Sequence, residues 1–264
     1  MNTISTGIIG ALILGLLICF LLPIVGFIYS KIRYKKIAKP FLFGMLTFFV
    51  SQIVLRIPII QVLLPKFDWY NIFVAKYYYI YVILLALSAG VFEEVGRFLV
   101  VKYFLKKNRR YGDGIAFGFG HGGIEAILIV GMSYINMLVY SLASNNGTLD
   151  VLLKGAPQTS IDSVNAALAG LSIASVLLGA IERVIAIAMH IGMTMIIYMG
   201  FAKKKERTYL FAAILVHTMV DSLCGILPKL GINGGALEVV FGVCAALLLW
   251  YTLRMKRPML ELTQ

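Results

Sequence analysis

The segment Gly7–Ser30 reads GIIGALILGLLICFLLPIVGFIYS, 24 residues without a charged side chain. A helix of that length rises ~36 Å, and crossing the ~30 Å hydrocarbon core of a bilayer takes roughly 20 apolar residues. The segment therefore reads as a membrane span. No Lys or Arg precedes it in Met1–Gly10 and no small-residue cleavage site is clear, so a permanent span is expected rather than a removed signal peptide.

The rest of the chain repeats this character. Of 264 residues, 60% are hydrophobic and 14% charged, against ~25% charged in ordinary soluble domains, and the mean hydropathy is +0.91. A soluble fold of this size needs more polar surface to cover its core. Composition thus excludes a soluble enzyme, a disordered chain and a disulfide scaffold. Seven apolar runs are long enough to cross, at about 7–30, 41–64, 77–105, 113–140, 164–202, 208–227 and 236–253. The fifth is too long for one straight span, and its first part near Asp162–Ala174 is expected to form a separate short helix or lie on the surface. The fold class is all-α: a polytopic membrane bundle of about seven to eight helices. Residues 1–264 form a single transmembrane domain with its functional core in about 77–227.

The +12 net charge could suggest nucleic acid, but its distribution argues against that partner. The basic residues cluster between apolar runs, where they set topology and favour anionic head groups. Lys31, Arg33, Lys35, Lys36, Lys39, Lys106, Lys107, Arg109, Arg110, Lys203, Lys204, Lys205, Arg207, Arg254, Lys256 and Arg257 fall on one side, 16 in all, against Lys66, Lys76, Lys154 and Lys229 on the other. The positive-inside rule then places the C-terminus in the cytoplasm and the N-terminus outside, in a bacterial cell membrane. The longest outside loop, about Ser141–Asp162, reads as a lid or a linker. Cys19, Cys224 and Cys244 lie in apolar runs with no metal or disulfide spacing, and read as small buried hydrophobes. Tyr77, Tyr78, Tyr79 and Tyr81 suit an aromatic belt at the outer interface.

The ionisable residues at membrane depth carry the functional signal. An isolated charge at the bilayer centre costs at least ~2.5–3.5 kcal/mol, so such groups are paired, wet or in use. This chain places Glu93, Glu94 and Arg97 in the third run, His121 and Glu125 in the fourth, Glu182, Arg183 and His190 in the fifth, and His217 and Asp221 in the sixth. All three histidines of the protein are among them. Counted from the basic ends, Glu93 and His190 lie ~18 Å deep, His121 ~12 Å and His217 ~14 Å. Four helices thus offer polar groups in one slab, where a bundle can gather them. Glu93 and Arg97 are four apart and can pair, while Glu94 points about 100° away. His121–Glu125 and His217–Asp221 have the same spacing, which lets each carboxylate orient its histidine or join it as a ligand. Glu182–Arg183 can neutralise itself, and Arg56 and Lys102 read as snorkelling or paired cations. Gly112, Gly114, Gly118, Gly120, Gly122 and Gly123 give the fourth run a smooth face for close helix contact. Asp113 among them reads as a helix start.

The set Glu93-Glu94-Val95-Gly96-Arg97, Phe117-xxx-His121 and His217-xxx-Asp221 resembles the glutamate-type intramembrane protease superfamily, which includes the CAAX-prenyl, bacteriocin-processing and PrsW-type proteases. It is most similar to its YhfC branch of intramembrane metalloproteases, over about Gly90–Gly225. CAAX-type members usually carry three residues between the Glu pair and the Arg; this chain has two, which leaves open which carboxylate is the base. The resemblance implies an intramembrane endopeptidase acting on a membrane-bound or amphipathic peptide. In it Glu93 would activate water, Glu94 assist and Arg97 neutralise the pair. His121 and His217 would bind metal or polarise the scissile carbonyl, with Asp221 supporting His217. His121, His190 and His217, with Glu125 as a further candidate, would hold zinc; alternatively the histidines serve as oxyanion donors without metal. A non-proteolytic use of the same scaffold, as an acyltransferase on lipid or lipoprotein or as an assembly subunit, is the competing expectation. Oligomeric state is not legible.

Overall fold

The structure is a computed structural model and describes residues 3–262. Among the described residues all regular elements are helical: α1 (Thr6–Tyr34), α2 (Ala38–Phe48), α3 (Asp68–Lys76), α4 (Tyr78–Tyr103), α5 (Tyr111–Glu125), α6 (Met132–Asn145), α7 (Leu149–Leu152), α8 (Gln158–Ala169), α9 (Ile173–Ala202), α10 (Glu206–Lys229) and α11 (Gly234–Leu262). Two spans are composite. α2 continues through wide π-type turns at Phe49–Arg56 and Ile59–Leu63 into one apolar rod, Ala38–Lys66. α5 and α6 join through another wide turn, Ala126–Gly131, into Tyr111–Asn145. Among the described residues six helices are long and apolar enough to cross a membrane, or seven if α3 and α4, bent by 114°, are counted as one span. This is the multi-pass bundle expected from the apolar runs.

The fifth run divides as its length requires. α8 and α9 are separate helices, broken at Gly170–Ser172, and the Ser172 hydroxyl caps α9 by accepting from Ser175 N at 3.0 Å. The expected outer loop is more ordered than its polar sequence suggests. It contains α7 and part of α8, packed through Leu149, Leu153 and Leu168, and Asn145 clasps the backbone of Ile4 through two hydrogen bonds of 2.7 and 2.8 Å.

α9 is the axis of the bundle. His190–Phe201 are buried without interruption, and α1, α4, α5, α10 and α11 all pack on this helix. A helix apolar all round belongs at such a centre. α5 enters between α2 and α9 because glycine lets backbones touch. A Cβ at Gly44 would fall 2.2 Å from the Phe117 carbonyl oxygen, and one at Gly120 would fall 2.1 Å from that of Phe41. These approaches press His121 inward. Large apolar side chains such as Leu17, Leu21, Ile24 and Ile28 line the outer face of α1, as lipid contact requires.

The basic connections meet at one end. The Arg109 guanidinium lies 4.3 Å from the Phe201 ring, and Arg110 Nη2 donates to the Lys35 carbonyl at 3.4 Å. Arg110 also caps α5 reciprocally with Asp113, so Asp113 marks the helix start its glycine neighbours suggested. This carboxylate raises the pKa of Arg110 further above its ordinary value. No disulfide forms; Cys19 is buried, Cys244 half-buried and Cys224 exposed.

Candidate functional site

Glu93 lies at the centre of the polar core, and five side chains face it, one from its own helix and four from other spans. Gln52 Nε2 donates to Glu93 Oε1 at 2.5 Å, and His121 Nε2 lies 2.8 Å from Oε2. Arg97 Nη2 is 3.7 Å and His190 Nδ1 3.9 Å from Oε2, while His217 Nε2 stands 3.9 Å from Oε1. Glu93, Glu94, Arg97, His121, His190 and His217 are all buried. The four helices expected to converge do so, and the composite second span adds Gln52.

Neighbouring Glu94 shares two of these partners at closer range. Its Oε1 accepts from Arg97 Nη1 at 2.5 Å and lies 2.8 Å from His217 Nδ1, while its Oε2 is buried without a partner. The expected Glu93–Arg97 ion pair forms, with Nη2 3.7 Å from Oε2, but the guanidinium sits closer to Glu94, three residues away. Of the two carboxylates only Glu93 meets Gln52, His121 and His190, while Arg97 and His217 reach both.

Glu125 departs from its expected place in a similar way. It does not orient His121 one turn before it; it faces α9, where Arg183 Nη1 donates to Oε1 at 3.0 Å and His190 Nε2 lies 2.5 Å from Oε2. The wide turn starting at Ala126 follows directly. Arg183 bonds Glu182 as well, so this guanidinium bridges two acids rather than neutralising one. Asp221 Oδ2 is 3.5 Å from His217 Nε2, consistent with its expected support of that ring. Arg56 is held by Ser88, Leu85 and Gln52, and Lys102 lies over the rings of Phe98 and Tyr103.

Hydrogen-bond direction assigns the rings. Guanidinium groups only donate, so Arg97 Nη2, 3.2 Å from His190 Nδ1, makes that nitrogen the acceptor and puts the proton on Nε2, facing Glu125. His217 presents an Nδ1 proton to Glu94, and its Nε2 stands between Glu93 Oε1 at 3.9 Å and Asp221 Oδ2 at 3.5 Å. The rings of His121 and His190 are 4.8 Å apart, and Phe48 meets His121 edge-on at 5.5 Å.

One ligand atom each from Glu93, His121 and His190 lies within 4.8 Å of the others. Two imidazoles and a carboxylate are the donor set of a zinc site with a position left open. The group differs from the expected histidine trio in having Glu93 where His217 was placed; His217 stands beside it with one nitrogen engaged by Glu94. Charge favours a cation here. Carboxylates Glu93, Glu94, Glu125, Glu182 and Asp221 outnumber guanidiniums Arg56, Arg97 and Arg183, and an uncompensated charge at membrane depth is costly. The residues present therefore fit a metal ion.

A family model described as YhfC intramembrane metalloprotease matches residues 18–240. The chain belongs to this family. The YhfC match spans every residue of the polar core, from Gln52 to Asp221. The uncharacterized membrane protein YhfC of Bacillus subtilis (strain 168) is 34% identical over 253 residues, covering 91% of this chain and 93% of the relative. No solved structure matches the chain. The resemblance drawn from the three motifs to the YhfC branch is thus borne out.

Gln52 was not legible as a site residue. Its only signal is a polar side chain four positions before Arg56 within an apolar run, a pattern shared by many helix-packing residues.

Proposed function

We propose that this chain is a metal-dependent intramembrane endopeptidase of a bacterial cell membrane, hydrolysing a peptide bond in a membrane-bound or amphipathic substrate. The observation that carries the reading is the buried convergence of Glu93, His121 and His190, with His217 facing it. Hydrolysis requires an activated water, stabilisation of the oxyanion and a proton for the leaving amine.

In this reading Glu93, His121 and His190 hold a zinc-class ion, which when bound supplies Lewis-acid polarisation of a carbonyl and of water. Glu93 thereby becomes a donor, and the acid–base work passes to His217. Its Nδ1–H is anchored on Glu94, so Nε2 is the nitrogen that would take a proton from water and return it to the amine. Arg97 fixes Glu94 through Nη1. Were His190 Nδ1 to hold the ion, Arg97 would give up that contact and keep its hydrogen bond to Glu94, whose buried Oε2 has no partner. Glu125 and Arg183 hold the far side of the His190 ring, as outer partners of metal-bound histidines do. Asp221, beside His217 Nε2, stabilises the imidazolium formed during transfer.

The test uses purified full-length protein in lipid nanodiscs, a panel of membrane-tethered peptide reporters and metal analysis. Expected results are one zinc-class ion per chain, cleavage by the wild type, loss of metal and cleavage in His121→Ala, and loss of cleavage with metal retained in His217→Asn. Transfer of an acyl chain in place of hydrolysis, or cleavage that survives His121→Ala and His217→Asn, overturns the reading.

A further inference from the structure

We infer that Gln52 and Arg56, on the second span, form a positioning pair for Glu93: Arg56 fixes the amide of Gln52, and Gln52 caps one carboxylate oxygen so that the other faces the histidines. This deepens the metal-site reading and rests on it for its functional meaning.

Arg56 has only hydrogens to give. Its Nε donates to Ser88 Oγ at 2.8 Å, its Nη2 to the Leu85 carbonyl at 2.8 Å, and its Nη1 to Gln52 Oε1 at 3.0 Å. Two anchors on α4 hold the guanidinium in place, so the Gln52 atom it meets has to be the carbonyl oxygen. The amide nitrogen then points at Glu93 Oε1, 2.5 Å away. Being a donor, it requires Oε1 to accept. Oε2 is left to His121 and His190, the two imidazoles of the candidate group. A flipped amide would set its oxygen against the carboxylate and its nitrogen against the guanidinium, two repulsive contacts in a buried setting.

Charge points the same way. Among the described residues no carboxylate lies within 4 Å of Arg56, although the side chain is half-buried in a membrane span. An Arg there without a direct acid partner is expensive. Through the Gln52 amide its positive charge is applied to Glu93 without occupying either carboxylate oxygen directly. A direct Arg56–Glu93 pair would compete with the histidines; the intervening amide avoids this. Arg97 does not duplicate the role, because its close partner is Glu94.

Two measurements on the full-length protein test the pair. The first is cobalt(II) affinity, read from the visible absorption of the titrated protein. Gln52→Met, which keeps bulk and removes both amide groups, should weaken cobalt(II) binding by about 10–100-fold, as loss of an outer partner of a ligand does. Arg56→Met should weaken it in the same direction, and the double variant should be no weaker than Gln52→Met alone, because Arg56 acts through Gln52. A merely structural pair would give additive losses that track helix content and melting temperature. The second measurement needs no metal. The infrared carboxylate band assigned to Glu93 by its disappearance in Glu93→Gln should shift in Gln52→Met while the helical amide band stays fixed. An unshifted carboxylate band, or unchanged cobalt(II) affinity in Gln52→Met, overturns the positioning role. A wild type that binds no cobalt(II) but shows the band shift defeats the metal-site reading and leaves the Gln52–Glu93 contact standing.

Discussion

At the scale of single residues, the chemistry depends on which partner each buried charge chooses. Arg97 is fully buried and joins Glu94, His190 and Glu93. Removing one member of a buried pair leaves the other uncompensated, at a cost of about 3–5 kcal/mol. Arg97→Met is therefore expected to lower stability by that amount in detergent unfolding followed by circular dichroism, whereas Arg257→Met, whose partner Glu261 sits with it in the exposed last turns of α11, should change stability by less than about 0.5 kcal/mol. Sequence spacing identified the acids and histidines and their common depth. It identified only some of their partners. The spacing of four gives the Glu93–Arg97 and His217–Asp221 ion pairs, but it misses the tighter Arg97–Glu94 contact and the reach of Glu125 across to α9 in place of His121.

At the scale of elements, close helix contact is the device that assembles the site. α5 brings His121 to Glu93 only because Gly44 and Gly120 let it lie against α2 with carbonyl oxygens about where side chains would otherwise stand. Gly120→Ala is expected to destabilise by about 1–3 kcal/mol, the range for forced overpacking. Gly10→Ala, where nothing lies within 4 Å, should be neutral or stabilise by up to ~1 kcal/mol through helix propensity. Thermal unfolding of the two variants against the wild type checks both. The glycine-rich face was legible in the sequence, as was the break between α8 and α9, which follows from a run too long for one crossing. The wide turns at Phe49–Arg56 and Ala126–Gly131 were not, because an apolar run carries no signal that separates 3.6 residues per turn from a wider winding. Gln52 stayed hidden for the same reason: its direction depends on a turn the sequence does not announce.

At the scale of the whole molecule, the six to seven candidate spans bring the basic connections 31–39, 106–110 and 203–207 to one end. The account expects that end in the cytoplasm. Single cysteines introduced at Lys107 and Ser160, in a background with Cys19, Cys224 and Cys244 replaced by Ala, should be labelled by a membrane-impermeant maleimide in opposite patterns: Ser160→Cys in intact cells, Lys107→Cys only after permeabilisation. The count of crossings followed from the apolar runs because hydrocarbon thickness sets a minimum length that few other structures need. The convergence of charges followed from the same solvent, which penalises each of them apart.

The central claim is that Glu93, His121 and His190 together hold a metal ion at membrane depth. The most direct test is the zinc edge X-ray absorption spectrum of purified wild type beside His121→Ala and His190→Ala. The account predicts one zinc per chain in a nitrogen and oxygen shell containing imidazole scattering, with zinc content falling by at least tenfold in each variant. A wild type that retains no zinc or other divalent metal, or a metal shell unchanged when both histidines are removed, would contradict it.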